Sequence, residues 1–332
     1  MPEPQPVLAP LTESAVFLTL VVEPGGEQAV HDFLPDLGGV VRSVGFRMPE
    51  EGLTCVLGIG SDAWDRLFDG PRPARLHPFR EIRGERHRAP ATPGDLVLHL
   101  RAARTYPCFE LARRITGALG GAVRVVDEVQ GFRYFDRRDL LGFVDGTENP
   151  TGAAASAAVL VGAEDPEFAA GSYLLVQKYL HDLEKWNALP VEAREHAVGR
   201  RMLDDVELSD EEKPTDSHVA LTTIVEEDGT EREILRDNMP FGSIERGEFG
   251  TYFAGYAADP GVTERMLTRM VVGDPPGHSD RILEVSRAVT GALFFAPSAD
   301  FLDAPPPRVT PPQPAQEEPT RADLGIGSLR AT

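Results

Sequence analysis

The chain runs twice through the same order of strand-like and helix-like segments, and that doubling limits its fold more than any other feature. Residues 54–60 form an apolar run that leads into SDAWDRL (61–67), a short helix for which Ser61 or Asp62 supplies the cap. Residues 173–179 lead likewise into HDLEKWNAL (181–189), a second short helix that carries a Trp. A further pair follows in each half: 95–100 alternates as a strand ahead of the amphipathic helix 108–117, and 250–256 precedes 262–270. Residues 122–129 and 292–296 close the two halves with one more strand each. Strands that adjoin turns as often as helices predict an α+β fold with antiparallel sheets, a β-α-β unit doubled, and not a doubly wound parallel sheet. In the second half, 218–225 and 231–235 flank Asp228-Gly229, the turn dipeptide of a β-hairpin.

Composition narrows the surroundings. With 332 residues the chain is long enough for two ordinary domains. Asp plus Glu number 53 against 33 Lys plus Arg, a net charge of −20 that argues against nucleic acid or an anionic membrane as a partner. Cys55 and Cys108 form no CxxC pair and are too few for a disulfide framework, which points to a reducing, cytoplasmic setting. The apolar run 15–22 ends at Glu23-Pro24 and is too short to span a bilayer. Prolines crowd both ends, so residues 1–10 are expected to be flexible and 304–322 to be a disordered, extended linker. Beyond it, Leu324, Ile326 and Leu329 return to large aliphatics, for which a solvated linker has no use.

Four clusters carry chemistry. In LGFVDGTENPTG (141–152), Asp145-Gly146 and Asn149-Pro150 are turn dipeptides, and the plain reading is a loop. An acid placed directly after an apolar stretch, followed by a Gly that lets a ligand approach the backbone, also suits a general base. In DSHVALTTI (216–224), His218 stands at the start of a strand-like run; it is either a structural histidine or a single axial ligand. None of the other seven histidines has close metal-ligand spacing, but a haem needs only one imidazole, because the porphyrin supplies four ligands. In ILRDNMPFG (234–242), Arg236 and Asn238 sit in an apolar stretch and need partners, an ion pair or a ligand for the arginine. In DPPGHSDRI (274–282), Asp280 fits either a helix N-cap or the partner of a histidine. The acidic segment 204–216 reads as a solvated loop, and no P-loop, GxGxxG or GxSxG motif is present.

Taken in order, GFVDGTEN (142–149), DSHV (216–219), LRDNMPFG (235–242), GTYF (250–253) and DRIL (280–283) resemble the dye-decolorising peroxidases, specifically their bacterial B-type subgroup. The similarity runs from about residue 16 to 298. The resemblance implies two ferredoxin-like halves of the dimeric α+β barrel type, here 11–150 and 151–303, with a b-type haem wedged between a sheet and helices of the second. It implies His218 as the axial ligand to iron and Asp280 as its partner, which makes the imidazole more electron-donating. It implies Asp145 and Arg236 on the opposite, distal side, with Asn238 hydrogen-bonded nearby and Gly146, Thr147 and Glu148 passing close to the haem edge, where Arg236 also reaches a propionate.

The activity so implied is the reduction of hydrogen peroxide through a ferryl intermediate, followed by two one-electron oxidations of dyes, phenols or lignin-like donors. A base moves the proton from the inner to the outer peroxide oxygen, and Arg236 stabilises the charge that develops as the O–O bond breaks. An aspartate, with an ordinary pKa of about 3.9, remains a base where histidine is protonated, so an acidic optimum is expected. Trp64, Trp186 and the tyrosines read as core residues. LGIGSL (324–329) resembles the peptide by which cargo enzymes dock inside encapsulin nanocompartments, with Leu324, Ile326 and Leu329 filling pockets on the shell and 323–332 as the targeting segment. The family also implies a homo-oligomer, from dimer to hexamer. Two other classes compete: a haem- or porphyrin-handling protein without peroxidase turnover, and a cofactor-free cargo scaffold.

Overall fold

The strands lie where runs of large aliphatic and aromatic residues meet turn signals. In the computed structural model, which describes residues 2–308, they are β1 (Ser14–Val22), β2 (Thr54–Gly60), β3 (Ile82–Arg83), β4 (Arg88–Ala89), β5 (Leu96–Ala102), β6 (Val123–Phe132) and β7 (Ser172–His181). There follow β8 (Ile224–Val225), β9 (Glu231–Arg232), β10 (Leu235–Arg236), β11 (Met239–Ser243), β12 (Glu248–Ala257), β13 (Ser286–Ala288) and β14 (Ala292–Ala296). Ten of these build one antiparallel sheet in the order β10-β12-β7-β14-β2-β5-β1-β6, with β11 running on along β12 and β13 beside β7. The two halves of the sequence therefore share a sheet, joined where Phe294 of β14 faces Gly60 of β2.

The sheet curls until its ends nearly meet. A Cβ added at Gly131 of β6 would lie 2.4 Å from Cβ of Met239 of β11, so the close approach requires glycine there. Alternation along the strands then gives the sheet an inside and an outside. Phe17, Val97, Leu174, Tyr252, Tyr256 and Phe294 pack inside the curl. The outer face is covered by helices Leu37–Gly45, Thr105–Leu119 and Pro260–Val272, with Trp64 from helix Ser61–Leu67 in the same core. Trp64 and Trp186 are both 1% exposed, as core residues should be. Both cysteines are free and buried, and no helix among the described residues is long and apolar enough to cross a membrane.

The expected α+β organisation holds, with four local corrections. The hairpin expected over 218–235 is confined to β8 and β9, because residues His218–Thr222 form a helix. Ser217 closes its first turn by accepting from the Ala220 N–H, and the Thr222 and Thr223 hydroxyls donate to the carbonyls of His218 and Val219, so local bonds satisfy what a strand would have had to pair across. The cap expected from Ser61 or Asp62 is not used: Gly60 is the N-cap residue, and the Ser61 hydroxyl accepts from Arg72 instead. Of residues 1–10, expected to be flexible, the described ones are tied down. The Gln5 amide donates to the carbonyls of Leu57 and Pro297 and accepts from Leu57 N–H, and Val7 is 1% exposed. Residues 304–308 of the expected linker are likewise held, Pro307 accepting from Asp69 N–H and Pro306 meeting His31; 309–322 and the targeting segment 323–332 lie outside the described residues.

Candidate active site

A cavity of about 700 Å³ opens on the outer face of the second half's strands, and every residue lining it lies at or beyond Asp139. Its size falls in the range, about 300–1,000 Å³, that encloses a cofactor or small ligand. One wall is sheet, with Tyr179 and His181 from β7 and Thr251 and Phe253 from β12; another is helix Pro260–Val272, with Met266, Leu267 and Met270. Asp145, Gly146, Thr147, Glu148, His218, Arg236 and Asn238 all reach it. Asp280 does not, because it stands behind His218.

His218 is the first residue of its helix because Ser217, fully buried, caps it. Its Nδ1 lies 2.7 Å from Oδ2 of Asp280, which is 0% exposed. The other Asp280 oxygen accepts from Ile282 N–H at 2.9 Å, so the aspartate serves as both the N-cap and the histidine partner that the sequence offered as alternatives. Arg281 ties the two segments together through Asp216, side chain to side chain at 2.7 Å. With Nδ1 engaged, Nε2 is the nitrogen left for the cavity.

Across the cavity wall, the loop carrying Asp145 is pinned by its own backbone. Asp139 Oδ1 accepts from the N–H groups of Leu141 and Phe143. Burial, with the Asp145 carboxylate nearby, pushes the Asp139 carboxyl up to about 7. Asp145 Oδ1 accepts from Asn238 Nδ2 at 3.2 Å. Gly146 has φ of +82°, and a side chain there would crowd Leu11 and Asn149. Asn149 reads from the sequence as a turn residue, yet its amide takes both backbone groups of Arg236, donating to the carbonyl at 2.7 Å and accepting from the N–H at 2.9 Å. An Asn-Pro pair in a Gly-rich loop reads as a turn, so only the fold exposes this clamp. Thr147 donates to Asp205 at 2.6 Å, and Glu148 turns its carboxylate to Arg200. His181, also missed, bridges the Ser286 and Thr251 hydroxyls through its two nitrogens, and burial lowers it to about 4, so it is neutral.

The residues present fit a haem. Arg236 makes no ion pair among the described residues, and its Nε is buried without a partner, as is Oδ1 of Asn238. Polar atoms without protein partners, beside a cavity also lined by Phe253, Met266, Leu267 and Met270, and a histidine on that cavity whose second nitrogen is free, fit an iron porphyrin. Fold and site define an α+β protein of the haem-peroxidase class.

Comparison with known proteins agrees. The family Dyp-type peroxidase, N-terminal, matches residues 4–133, and Dyp-type peroxidase, C-terminal, matches 136–301. The dye-decolorizing peroxidase of Rhodococcus erythropolis is 58% identical over 330 residues, 98% of this chain and 97% of its own. That of Mycobacterium tuberculosis is 56% identical over 329 residues, 99% and 97%. The encapsulated DyP-type peroxidase of Mycobacterium smegmatis superposes with a TM-score of 0.92 at 60% identity, covering 93% of this chain and all of that one. A variant of DypB from Rhodococcus jostii, solved in complex with heme, gives 0.89 at 53% identity over 91% of this chain and 98% of its own. The chain belongs to the Dyp-type peroxidase family and is a peroxidase.

Proposed function

We propose that the protein is a haem b peroxidase that reduces hydrogen peroxide and oxidises aromatic or phenolic donors one electron at a time. The observation that carries the reading is the pairing of His218 Nδ1 with buried Asp280 on the same cavity that holds the Asp145–Asn238 contact and the unpaired Arg236 Nε. Bound haem supplies the two-electron reduction of peroxide and the one-electron oxidations that follow. His218 would hold the iron through Nε2, while Asp280 fixes its tautomer and raises its donor strength. Asp145 would take the proton from the inner peroxide oxygen and hand it to the outer one, its Oδ1 oriented by the Asn238 amide. Arg236, always cationic, places fixed positive charge where negative charge develops. Gly146, Thr147 and Glu148 would border the porphyrin edge, and apolar Phe253, Leu267 and Met270 would exclude water from its faces.

His218→Ala should abolish the Soret band of the purified protein; a retained band with unchanged coordination would overturn the assignment. Rapid, stoichiometric consumption of peroxide in stopped flow separates a peroxidase from a haem carrier without turnover. In that assay Arg236→Leu is expected to cost at least as much rate as Asp145→Ala, and the reverse order would make Asp145 the dominant group.

The chain is further proposed to act in the cytoplasm as a homo-oligomer, dimer to hexamer, inside an encapsulin shell, docked through Leu324, Ile326 and Leu329. The encapsulated M. smegmatis relative supports the encapsulation. Deleting residues 321–332 should leave peroxidase activity intact and end co-purification with the shell protein. Encapsulation of the truncated chain would refute the docking role.

A further inference from the structure

Among the described residues, none of the region matched by the N-terminal family model, residues 4–133, lines the cavity, whose wall starts at Asp139. A side chain of that region nevertheless reaches the strand that presents two of the cavity's polar groups. Arg101, on β5, is 0% exposed and points inside the curl of the sheet, where its Nη1 donates to Oδ2 of Asp237 at 2.7 Å. Asp237, 1% exposed, is the residue between Arg236 and Asn238. The other guanidinium contacts go to carbonyls of the N-terminal segment, Pro6 and Ala9.

Strand alternation gives that contact its meaning. Arg236 and Asn238 face the cavity, while Leu235 and Asp237 face the interior of the curl. The ladder to β12 is thin here: between Arg236 opposite Gly255 and Met239 opposite Tyr252, the contact is Asp237 N–H to the Ala254 carbonyl at 2.9 Å. A residue gripped from inside cannot rotate without carrying its two neighbours with it. The guanidinium is held through both terminal nitrogens, Nη1 by the Asp237 carboxylate and the Ala9 carbonyl and Nη2 by the Pro6 carbonyl, which fixes angle as well as distance in a way that a lone ammonium does not.

We propose that the Arg101–Asp237 ion pair is a positioning device through which the N-terminal half fixes Arg236 and Asn238 at the cavity. The inference rests on the haem-site reading above. Arg101 and Asp237 touch no substrate; they act through their neighbours, and the expected signature is a change in ligand stabilisation at the iron without loss of cofactor.

Fluoride bound to the ferric holoprotein is the probe, because its affinity depends on the hydrogen-bond donors of the distal side, of which the Arg236 guanidinium has an unspent one. Titration is followed by the charge-transfer absorbance. Arg101→Met should retain the Soret band and weaken fluoride by about tenfold, the scale expected when donors are displaced. Arg101→Lys, which keeps the charge but not the fork, should weaken it by about threefold. Tyr256→Phe removes the 2.8 Å contact with His99, whose Nε2 lies 3.7 Å from Asp237 Oδ2, but keeps every contact of Arg101. It should lower the denaturation midpoint yet keep fluoride affinity within about twofold, because the guanidinium and not the imidazole holds Asp237. Equal fluoride affinity in wild type and Arg101→Met overturns the proposal, and so does a loss in Tyr256→Phe as large as in Arg101→Met. Should Arg101→Met not fold, Arg101→Lys decides alone: weakened fluoride binding supports the device, and unchanged binding overturns it. A wild-type protein that takes up no haem, or whose iron ignores fluoride, would instead refute the haem-site reading.

Discussion

Asn149→Ala tests the clamp on the distal strand. The amide makes two bonds to one residue's backbone, 2.7 Å to the Arg236 carbonyl and 2.9 Å from its N–H. A protein hydrogen bond contributes about 1 kcal/mol net, and a backbone group left unpaired in a half-buried place loses about 1–3 kcal/mol. Water reaches part of this loop, so the low end applies to each bond, and the truncation should cost about 2–3 kcal/mol. Guanidinium unfolding of the holoprotein measures it as a lower midpoint at unchanged slope. The same bonds couple the Asp145 loop to the strand of Arg236 and Asn238, so the second-order rate with peroxide should fall about 10- to 100-fold as donor and base drift apart. Donor oxidation at saturating peroxide should change less, because it does not use that geometry. A variant whose midpoint and peroxide rate both match wild type would refute the clamp.

Two further outcomes follow from the same site. Asp280→Ala removes the 2.7 Å partner of His218 and should raise the iron reduction potential while lowering the peroxide rate by about 10- to 100-fold; an unchanged potential, read by spectroelectrochemistry, would count against the pairing. His181 is held at about 4, below its ordinary 6.5, so the unfolded chain binds a proton in that window that the folded chain refuses. Its stabilising effect is therefore complete above pH 6.5 and lost as pH falls toward 4, about 2 kcal/mol of it between roughly pH 7 and 5. His181→Gln should flatten the dependence of apoprotein stability on pH by that amount, and superimposable profiles would show that the imidazole is not kept neutral.

Much of the architecture was legible because strand and helix periods are local. β2, helix Ser61–Leu67 and β14 fall on the expected residues, and the other paired segments differ by a few residues at their ends. Where local chemistry was ambiguous, reading along the chain failed: V-A-L-T-T-I suits a strand or a helical turn, and Ser217 decides for the turn only because it is buried as a cap. The prolines of residues 1–10 read as flexibility, but Gln5 finds three backbone partners that are distant in sequence.

The sequence by itself determined the doubled α+β order and the candidate residues His218, Asp280, Asp145, Arg236 and Asn238, since a motif states which side chains are present. What they do to one another was decided by the tertiary structure. His218 meets Asp280 across 62 residues, Asp145 meets Asn238 across 93, and Arg101 meets Asp237 across 136. No periodicity encodes such distances. They arise because one sheet built from both halves curls until its ends touch, which turns alternate residues of a single strand toward a cavity on one face and toward a buried arginine on the other.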